Sequence, residues 1–198
     1  MTFPQAIEIS GSGVWLMTGH EDDLSNILAL WDETVAWLVA KGIEGQWGMT
    51  PFSQLPAMRE RCLSWLRNGE LFIAREGDTY SGSIVATLAL VDTIPGYAVN
   101  AWGPVLDTGL YLEAFTTARI RHGSGLGRAL LEWAEAYTLE QGKTVLRLDC
   151  WAGNEVLQAY YRAAGFQPRG TFRLGSWEGQ MFEKRLASTD SGDEKALR

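Results

Sequence analysis

Three glycines stand at alternate positions in Arg121-His122-Gly123-Ser124-Gly125-Leu126-Gly127-Arg128, between a run of strand character at 110–120 and a run of helix character at 129–141. No other stretch constrains the fold as strongly. Glycine at every second residue admits positive φ and leaves the main chain open to close approach. Where such a loop opens a helix, the unpaired N–H groups of the first turn and the positive end of the helix dipole act together on an anion. A phosphate or pyrophosphate is the expected guest, and the alternative is a plain connector between strand and helix. Strand, anion loop and helix in that order belong to an α/β architecture.

Two familiar phosphate loops fail on residues. A Walker loop needs lysine and then serine or threonine after its last glycine, but Arg128 and Ala129 follow Gly127. A dinucleotide fingerprint needs G-x-G-x-x-G, and this run is G-x-G-x-G with Arg128 in the place of the third glycine.

The surrounding residues resemble the GCN5-related N-acetyltransferase (GNAT) family, in which the pyrophosphate of acetyl-coenzyme A sits on a Q/R-x-x-G-x-G/A loop. The matching stretch is His122 to Gly127, followed by Arg128-Ala129-Leu130-Leu131. His122 stands where the family has glutamine or arginine, with Arg121 one residue earlier. A second block agrees: Leu146-Arg147-Leu148-Asp149-Cys150-Trp151, then Asn154, then Tyr160-Tyr161-Arg162-Ala163-Ala164-Gly165-Phe166. It is similar to the family's strand, asparagine and Y-x-x-x-G-F helix, at the expected distance downstream. The resemblance is strong over 110–172 and weaker, though coherent in layout, before that. It implies a GNAT-like acyl-CoA acyltransferase fold: three layers, with a mixed central sheet flanked by helices and splayed between its fourth and fifth strands.

Periodicity supports the same layers. Strand 14–18 leads to a helix that Asp22 or Asp23 caps and that carries Leu24, Ile27, Leu28, Trp31, Val35 and Leu38 at helical spacing up to Gly42. Loop 45–56 and helix 55–68 come next, stopped by Gly69. Strands 71–75 and 83–91 are joined through Gly77-Asp78, and Pro95-Gly96 breaks the pattern before the strand at 110. After the glycine loop come helix 129–141, strand 144–151, helix 154–164, strand 166–174, a turn at 175–179 and strand 180–186. With 198 residues, 46% hydrophobic, the chain fits one domain over 1–187. Residues 188–198 are polar and patternless and read as a frayed tail.

Several classes drop out. There is no run of 18 apolar residues and no basic-then-apolar N-terminus, so neither a membrane span nor a secretion signal is expected, and a cytoplasmic enzyme is. Cys62 and Cys150 are far apart in apolar surroundings and read as reduced thiols. His20 and His122 are the only histidines, and no cluster has metal-ligand spacing. A formal charge of −7 argues against nucleic acid and is compatible with a cationic amine.

Acetyl transfer to an amine needs a neutral nucleophile, a donor for the developing oxyanion and a proton for the departing thiolate. Tyr161 matches the tyrosine of Y-x-x-x-G-F, which the resemblance casts as the thiolate's proton donor, with Tyr160 as its packing partner; core packing is the alternative for Tyr161. Asn154 suits a helix N-cap, and in the family the matching residue also reaches the pantetheine arm or a catalytic water. Phe115, Thr116 and Thr117 occupy the strand whose main chain pairs with the pantetheine amides in the family. The expected coenzyme A contacts are thus Phe115, Thr116, Thr117, residues 121–128, Asn154 and Tyr161. Glu113 shares a face with Phe115 and Thr117 by alternation and is the candidate general base, with a solvent-exposed edge carboxylate as the alternative. Asp149 alternates with Arg147 and reads as structural. Trp47, Phe52 and Trp102 are candidate walls of the acceptor pocket. The function implied is an N-acetyltransferase moving an acetyl group from acetyl-CoA, its co-substrate, to a primary amine of a small molecule or peptide by direct attack in a ternary complex. The chain is expected to act as a monomer or homodimer. The alternative is a non-catalytic acyl-CoA sensor or scaffold.

Overall fold

The computed structural model describes residues 6–9, 13–79, 81–105 and 107–187. The expected tail at 188–198 lies outside the described residues. In chain order the elements are β1 Ile7–Glu8, β2 Val14–Thr18, α1 Leu24–Ala40, α2 Pro56–Asn68, β3 Leu71–Glu76, β4 Ser83–Val91, α3 Val99–Trp102, β5 Gly109–Thr117, α4 Leu126–Glu140, β6 Val145–Trp151, α5 Glu155–Ala163, β7 Gln167–Leu174 and β8 Trp177–Arg185. The strands form one mixed sheet in the order β1-β2-β3-β4-β5-β6-β8-β7. Among the described residues no helix is long and apolar enough to cross a membrane.

Alternation on β3 sorts the two faces. Leu71 and Ile73 pack with Leu24, Ile27, Leu28 and Trp31 of α1, while Phe72 and Ala74 pack with Leu130, Leu131 and Ala134 of α4. Every apolar position that helical spacing assigned to the core of α1 is buried. Both cysteines are buried, and that burial pushes each thiol up to about 12, leaving them unreactive at neutral pH.

Four local features depart from the sequence expectation. The first helix is not capped by an Asp22 or Asp23 carboxylate at its own start. A single 3-10 turn, Glu21–Asp23, precedes it. In that turn the His20 ring accepts from the Asp22 N–H (3.4 Å) and the Asp23 carboxylate accepts from the His20 N–H (2.9 Å). Asp23 is also ion-paired with buried Arg75. Helix α4 begins at Leu126, so Gly127 lies in its first turn, and the preceding strand ends at Thr117, before a 3-10 turn at Arg119–Arg121. The last strand begins at Trp177, because a tight turn at Gly175 (φ 61°) suffices where a longer one was expected. The two-residue β1 and four-residue α3 are too short to show a period.

The sheet is split. Strand β5 runs parallel to β6 and pairs with it at only three positions, Gly109 with Val145, Leu110 with Leu146 and Tyr111 with Arg147. Beyond Tyr111 β6 stays with antiparallel β8 as far as Trp151–Gly179, while β5 stays with β4. Counted from the strand at Val14, the gap falls between the fourth and fifth strands.

A bulge next to that gap corrects a side-chain assignment. The β4–β5 register shifts between Thr87 and Ala89, and Ala114 takes φ 48°, the only non-glycine at positive φ among the described residues. An inserted residue reverses the inside–outside parity of the strand beyond it. Glu113 therefore reaches Arg61 of α2, and Thr116 reaches Thr34 of α1, with 3.1 Å between the hydroxyls. Phe115 and Thr117 turn to the opposite side, beside Gly127 of α4. Glu113 does not share their face, as unbroken alternation would require.

The bulge is held by Thr87, which is fully buried. Its hydroxyl donates to the Ala114 carbonyl (2.8 Å) and accepts from the Trp31 indole N–H (2.9 Å). Thr87→Val keeps the shape and leaves both partners unsatisfied, at about 1–3 kcal/mol for such a buried group. Urea unfolding of this variant should show a lower midpoint with an unchanged slope. An unchanged midpoint would mean that the hydroxyl bridge does not hold the bulge.

Candidate active site

A cavity of about 1460 Å³ opens where β5 and β6 part. The glycine loop forms one end. Gly123 (φ 77°) and Gly125 (φ 82°) have positive φ, and an added Cβ on either would meet nothing within 4 Å. The loop partly closes on itself: the His122 N–H donates to Arg119 O (3.0 Å) and the Ser124 N–H to Arg121 O (3.1 Å), while the first bond of α4 runs from Ala129 to Gly125 O (3.1 Å). Among the described residues the N–H groups of Gly123, Gly125, Gly127 and Arg128 have no partner in the protein, and these four residues line the cavity. Leu126 and His122 line it too. Ser124 does not; its hydroxyl donates back to Arg121 O (2.7 Å).

Positive charge gathers at the same end. Arg119, Arg121 and Arg128 all line the cavity. Arg119 lies 3.8 Å above the Trp37 ring, Arg121 pairs with Glu76 (2.8 Å), and Arg128 pairs with Glu132 (2.8 Å). Four free N–H groups at a helix start, rimmed by cations, suit a phosphate-bearing ligand. Next to them, the edge of β5 from Leu112 to Thr117 has no β6 partner, which leaves main-chain groups for an extended ligand.

Asn154 is the N-cap of α5: its Oδ1 accepts from the Leu157 N–H (3.1 Å). Its Nδ2 donates to Gln46 Oε1 (3.3 Å), which also accepts from the Trp151 N–H (3.2 Å). The Trp177 indole N–H donates to Gly45 O (2.6 Å). The loop after α1 is thereby tied to β6, α5 and the β7–β8 turn, across the gap in the sheet. Tyr161 lines the cavity but is only 5% exposed, its ring packed among Tyr160, Phe166 and Phe182. Burial holds its hydroxyl well above the ordinary tyrosine range, so the group keeps its proton at neutral pH. Tyr160 also lines the cavity.

At the far end two carboxylates meet. Glu113, with a side chain 9% exposed, is ion-paired with Arg61. Asp149 Oδ2 accepts from the Tyr111 hydroxyl (2.5 Å) and the Tyr97 hydroxyl (3.0 Å), and the Tyr97 hydroxyl also lies 3.4 Å from Glu113 Oε2. Burial raises Glu113 above its ordinary value, opposed by Arg61. Burial raises Asp149 likewise, opposed by the two tyrosine hydroxyls and then by Arg61. Alternation correctly puts Asp149 on one face with Arg147, but Asp149 lines the cavity while Arg147 is buried against Glu183. Arg61 and Tyr97 escaped the sequence reading altogether. Arg61 is a lone charge at the edge of the apolar face of α2, beside Trp65, and Tyr97 comes after Pro95-Gly96 in a segment without periodicity, so no local pattern marks either.

Trp47 and Phe52 line the cavity and stack at 5.2 Å, both edge-on to buried Trp31. Trp102 does not line it. The last residue of α3, Trp102 packs edge-on against Tyr111 (6.2 Å) with Arg147 5.3 Å above its ring, so its indole supports the sheet rather than walling the pocket. Among the described residues no group of three or more His, Cys, Asp or Glu is placed to hold a metal ion.

The acetyltransferase (GNAT) family model matches residues 31–166. The uncharacterized N-acetyltransferase YesJ of Bacillus subtilis (strain 168) is 25% identical over 186 residues, covering 91% of this chain and 95% of its own. A GNAT-family acetyltransferase of Listeria monocytogenes superposes with a TM-score of 0.71 at 21% identity, over 92% of this chain and all of its own. YncA of Salmonella typhimurium, a putative acetyltransferase whose structure includes its cofactor acetyl-CoA, superposes with a TM-score of 0.61 at 14% identity, over 92% of this chain and 99% of its own.

Proposed function

This chain belongs to the acetyltransferase (GNAT) family, an acetyl-CoA-dependent family of enzymes, and from that premise we propose that it moves the acetyl group directly to a primary amine, with both reactants held in the one cavity. The observation that carries this reading is the cavity's polarity. Free N–H groups and three arginines stand at one end, and at the other Glu113 and Asp149 outnumber the single Arg61. A polyanionic donor and a cationic acceptor are each drawn to the complementary end.

Acetyl-CoA supplies a thioester, an acyl group activated for attack. The main-chain N–H groups of Gly123, Gly125, Gly127 and Arg128 hold its pyrophosphate, and the free edge of β5 at Phe115–Thr117 holds its pantetheine arm. Asn154, already the cap of α5, keeps that helix start in place beside the arm. Glu113 takes the proton that the incoming ammonium must lose, since only the free amine attacks. As the C–N bond forms and the C–S bond breaks, Tyr161 donates its proton to the thiolate, and the second amine proton restores the tyrosine. Trp47 and Phe52 wall the acceptor side.

The test is release of free thiol from acetyl-CoA with a panel of polyamines, amino acids, arylalkylamines, aminoglycosides and peptide N-termini. Release should require one of the amines, and its rate should rise with pH as amine and Glu113 lose their protons. Because burial raises Glu113, the acid limb of kcat/KM should lie above the ordinary carboxylate range. Tight acetyl-CoA binding with no thiol release for any amine would favour the non-catalytic sensor.

A further inference from the structure

We propose that the acceptor half of the cavity selects primary amines that carry an apolar body of aromatic size and no second charge, and that Asp149 anchors their ammonium. The proposal rests on the acetyltransferase reading for its biological role, though not for the binding itself.

At the closed end of the cavity, Glu113 and Arg61 form an ion pair and cancel. Arg61 is also fixed between rings, 4.9 Å from the Trp65 centroid and 5.6 Å from that of Tyr97. A substrate carboxylate would have to compete with Glu113 for it. Asp149 forms no ion pair among the described residues, and Arg61, which is paired with Glu113, acts on it only at longer range. Its Oδ2 is taken by two tyrosine hydroxyls, and its Oδ1 has no hydrogen bond among the described residues. At the mouth, exposed Lys41 and Glu44 offset each other. One negative charge is thus left over, facing the cavity from a buried strand. An ammonium placed there offsets, by charge attraction, the burial that now raises Asp149.

The walls decide what the rest of the molecule is. Trp47, Phe52, Leu55, Met58, Trp65 and Trp177 line this half. They offer apolar surface and ring faces, which attract a single cation and bury an apolar body but give no partner to a second charge. A polyamine would leave further ammonium groups against these rings. An amino acid would bring its carboxylate to a floor that is already net negative. A monoamine such as an arylalkylamine satisfies both conditions.

The experiment uses the unaltered protein saturated with coenzyme A, and quenching of its tryptophan fluorescence by 2-phenylethylamine, spermidine and phenylalanine. Phenylethylamine is expected to bind saturably and at least about tenfold more tightly than either competitor, a gap of about 1.4 kcal/mol. Asp149→Asn keeps the shape and an acceptor for the tyrosines but loses the charge. It should weaken phenylethylamine at least about tenfold while coenzyme A binds as before. The proposal is overturned if spermidine or phenylalanine binds as tightly as phenylethylamine, or if folded Asp149→Asn binds phenylethylamine unchanged. The ranking of the three amines decides the matter even where the variant does not fold. The two readings separate cleanly. Phenylethylamine bound as expected with no thiol release from any amine overturns the transferase and leaves this site standing. Thiol release fastest with spermidine overturns this site and leaves the transferase.

Discussion

Replacing Tyr161 by phenylalanine is expected to lower turnover by roughly 10²–10⁴, the range for a positioned proton donor, and to leave the fold and coenzyme A affinity intact. The ring contacts with Tyr160, Phe166 and Phe182, at 5.7–5.9 Å between centroids, need no hydroxyl and survive the change. The substitution therefore separates chemistry from packing. With the thiolate leaving unprotonated, the loss should appear in kcat and kcat/KM equally. The thermal midpoint and the calorimetric affinity for coenzyme A are the two controls. A turnover number equal to the parent's would falsify the acid role, and a large fall in the midpoint would show that the hydroxyl serves the core.

Gly125→Asp should have the larger effect on binding. Gly125 is the N-cap of α4 at φ 82°, and an added Cβ there meets nothing within 4 Å. Space is therefore available, and the backbone strain of a side chain at that φ is on the order of 1–2 kcal/mol. The charge is the greater penalty. A carboxylate about 4 Å from one phosphate charge, at an effective dielectric near 20, costs about 4 kcal/mol, almost three powers of ten in affinity. Gly125→Asn has the same shape without the charge and tolerates the left-handed region, so it should lose far less. Calorimetry with coenzyme A on both variants separates the strain from the charge. Equal affinities for parent and Asp variant would move the pyrophosphate elsewhere.

These two tests concern the half of the cavity that was legible from the sequence. Gly123 to Gly127 and Tyr161 to Phe166 are contiguous runs, whose spacing reflects local geometry: a loop entering a helix, and a helix turning into a strand. The layers were legible for the same reason, since α1 carries its apolar residues at a helical period. The acceptor half was legible only in single residues, Trp47, Phe52 and Glu113, and not as a cluster. Arg61, Tyr97, Glu113 and Asp149 come from α2, the segment before α3, β5 and β6, and only the tertiary fold brings them together. The bulge at Ala114 added a further obstacle. A single positive φ at an alanine, a residue that gives no warning of it, undid the alternation that had grouped Glu113 with Phe115 and Thr117.

The split between β5 and β6 has a consequence for how such a chain can diverge over generations. One reactant is gripped by amide groups of the loop and of a bare strand edge, which every residue type except proline supplies. Outside the glycines, drift in the side chains along that edge leaves the grip intact. The other reactant meets side chains delivered by four segments, and the two strands among them share no hydrogen-bond ladder at the site, because they part after Tyr111. Each segment can accept a new residue without a compensating change in the others. Inheritance of the donor and innovation in the acceptor are thereby uncoupled, and descendants of one such chain would be expected to keep their acyl donor while changing what they modify.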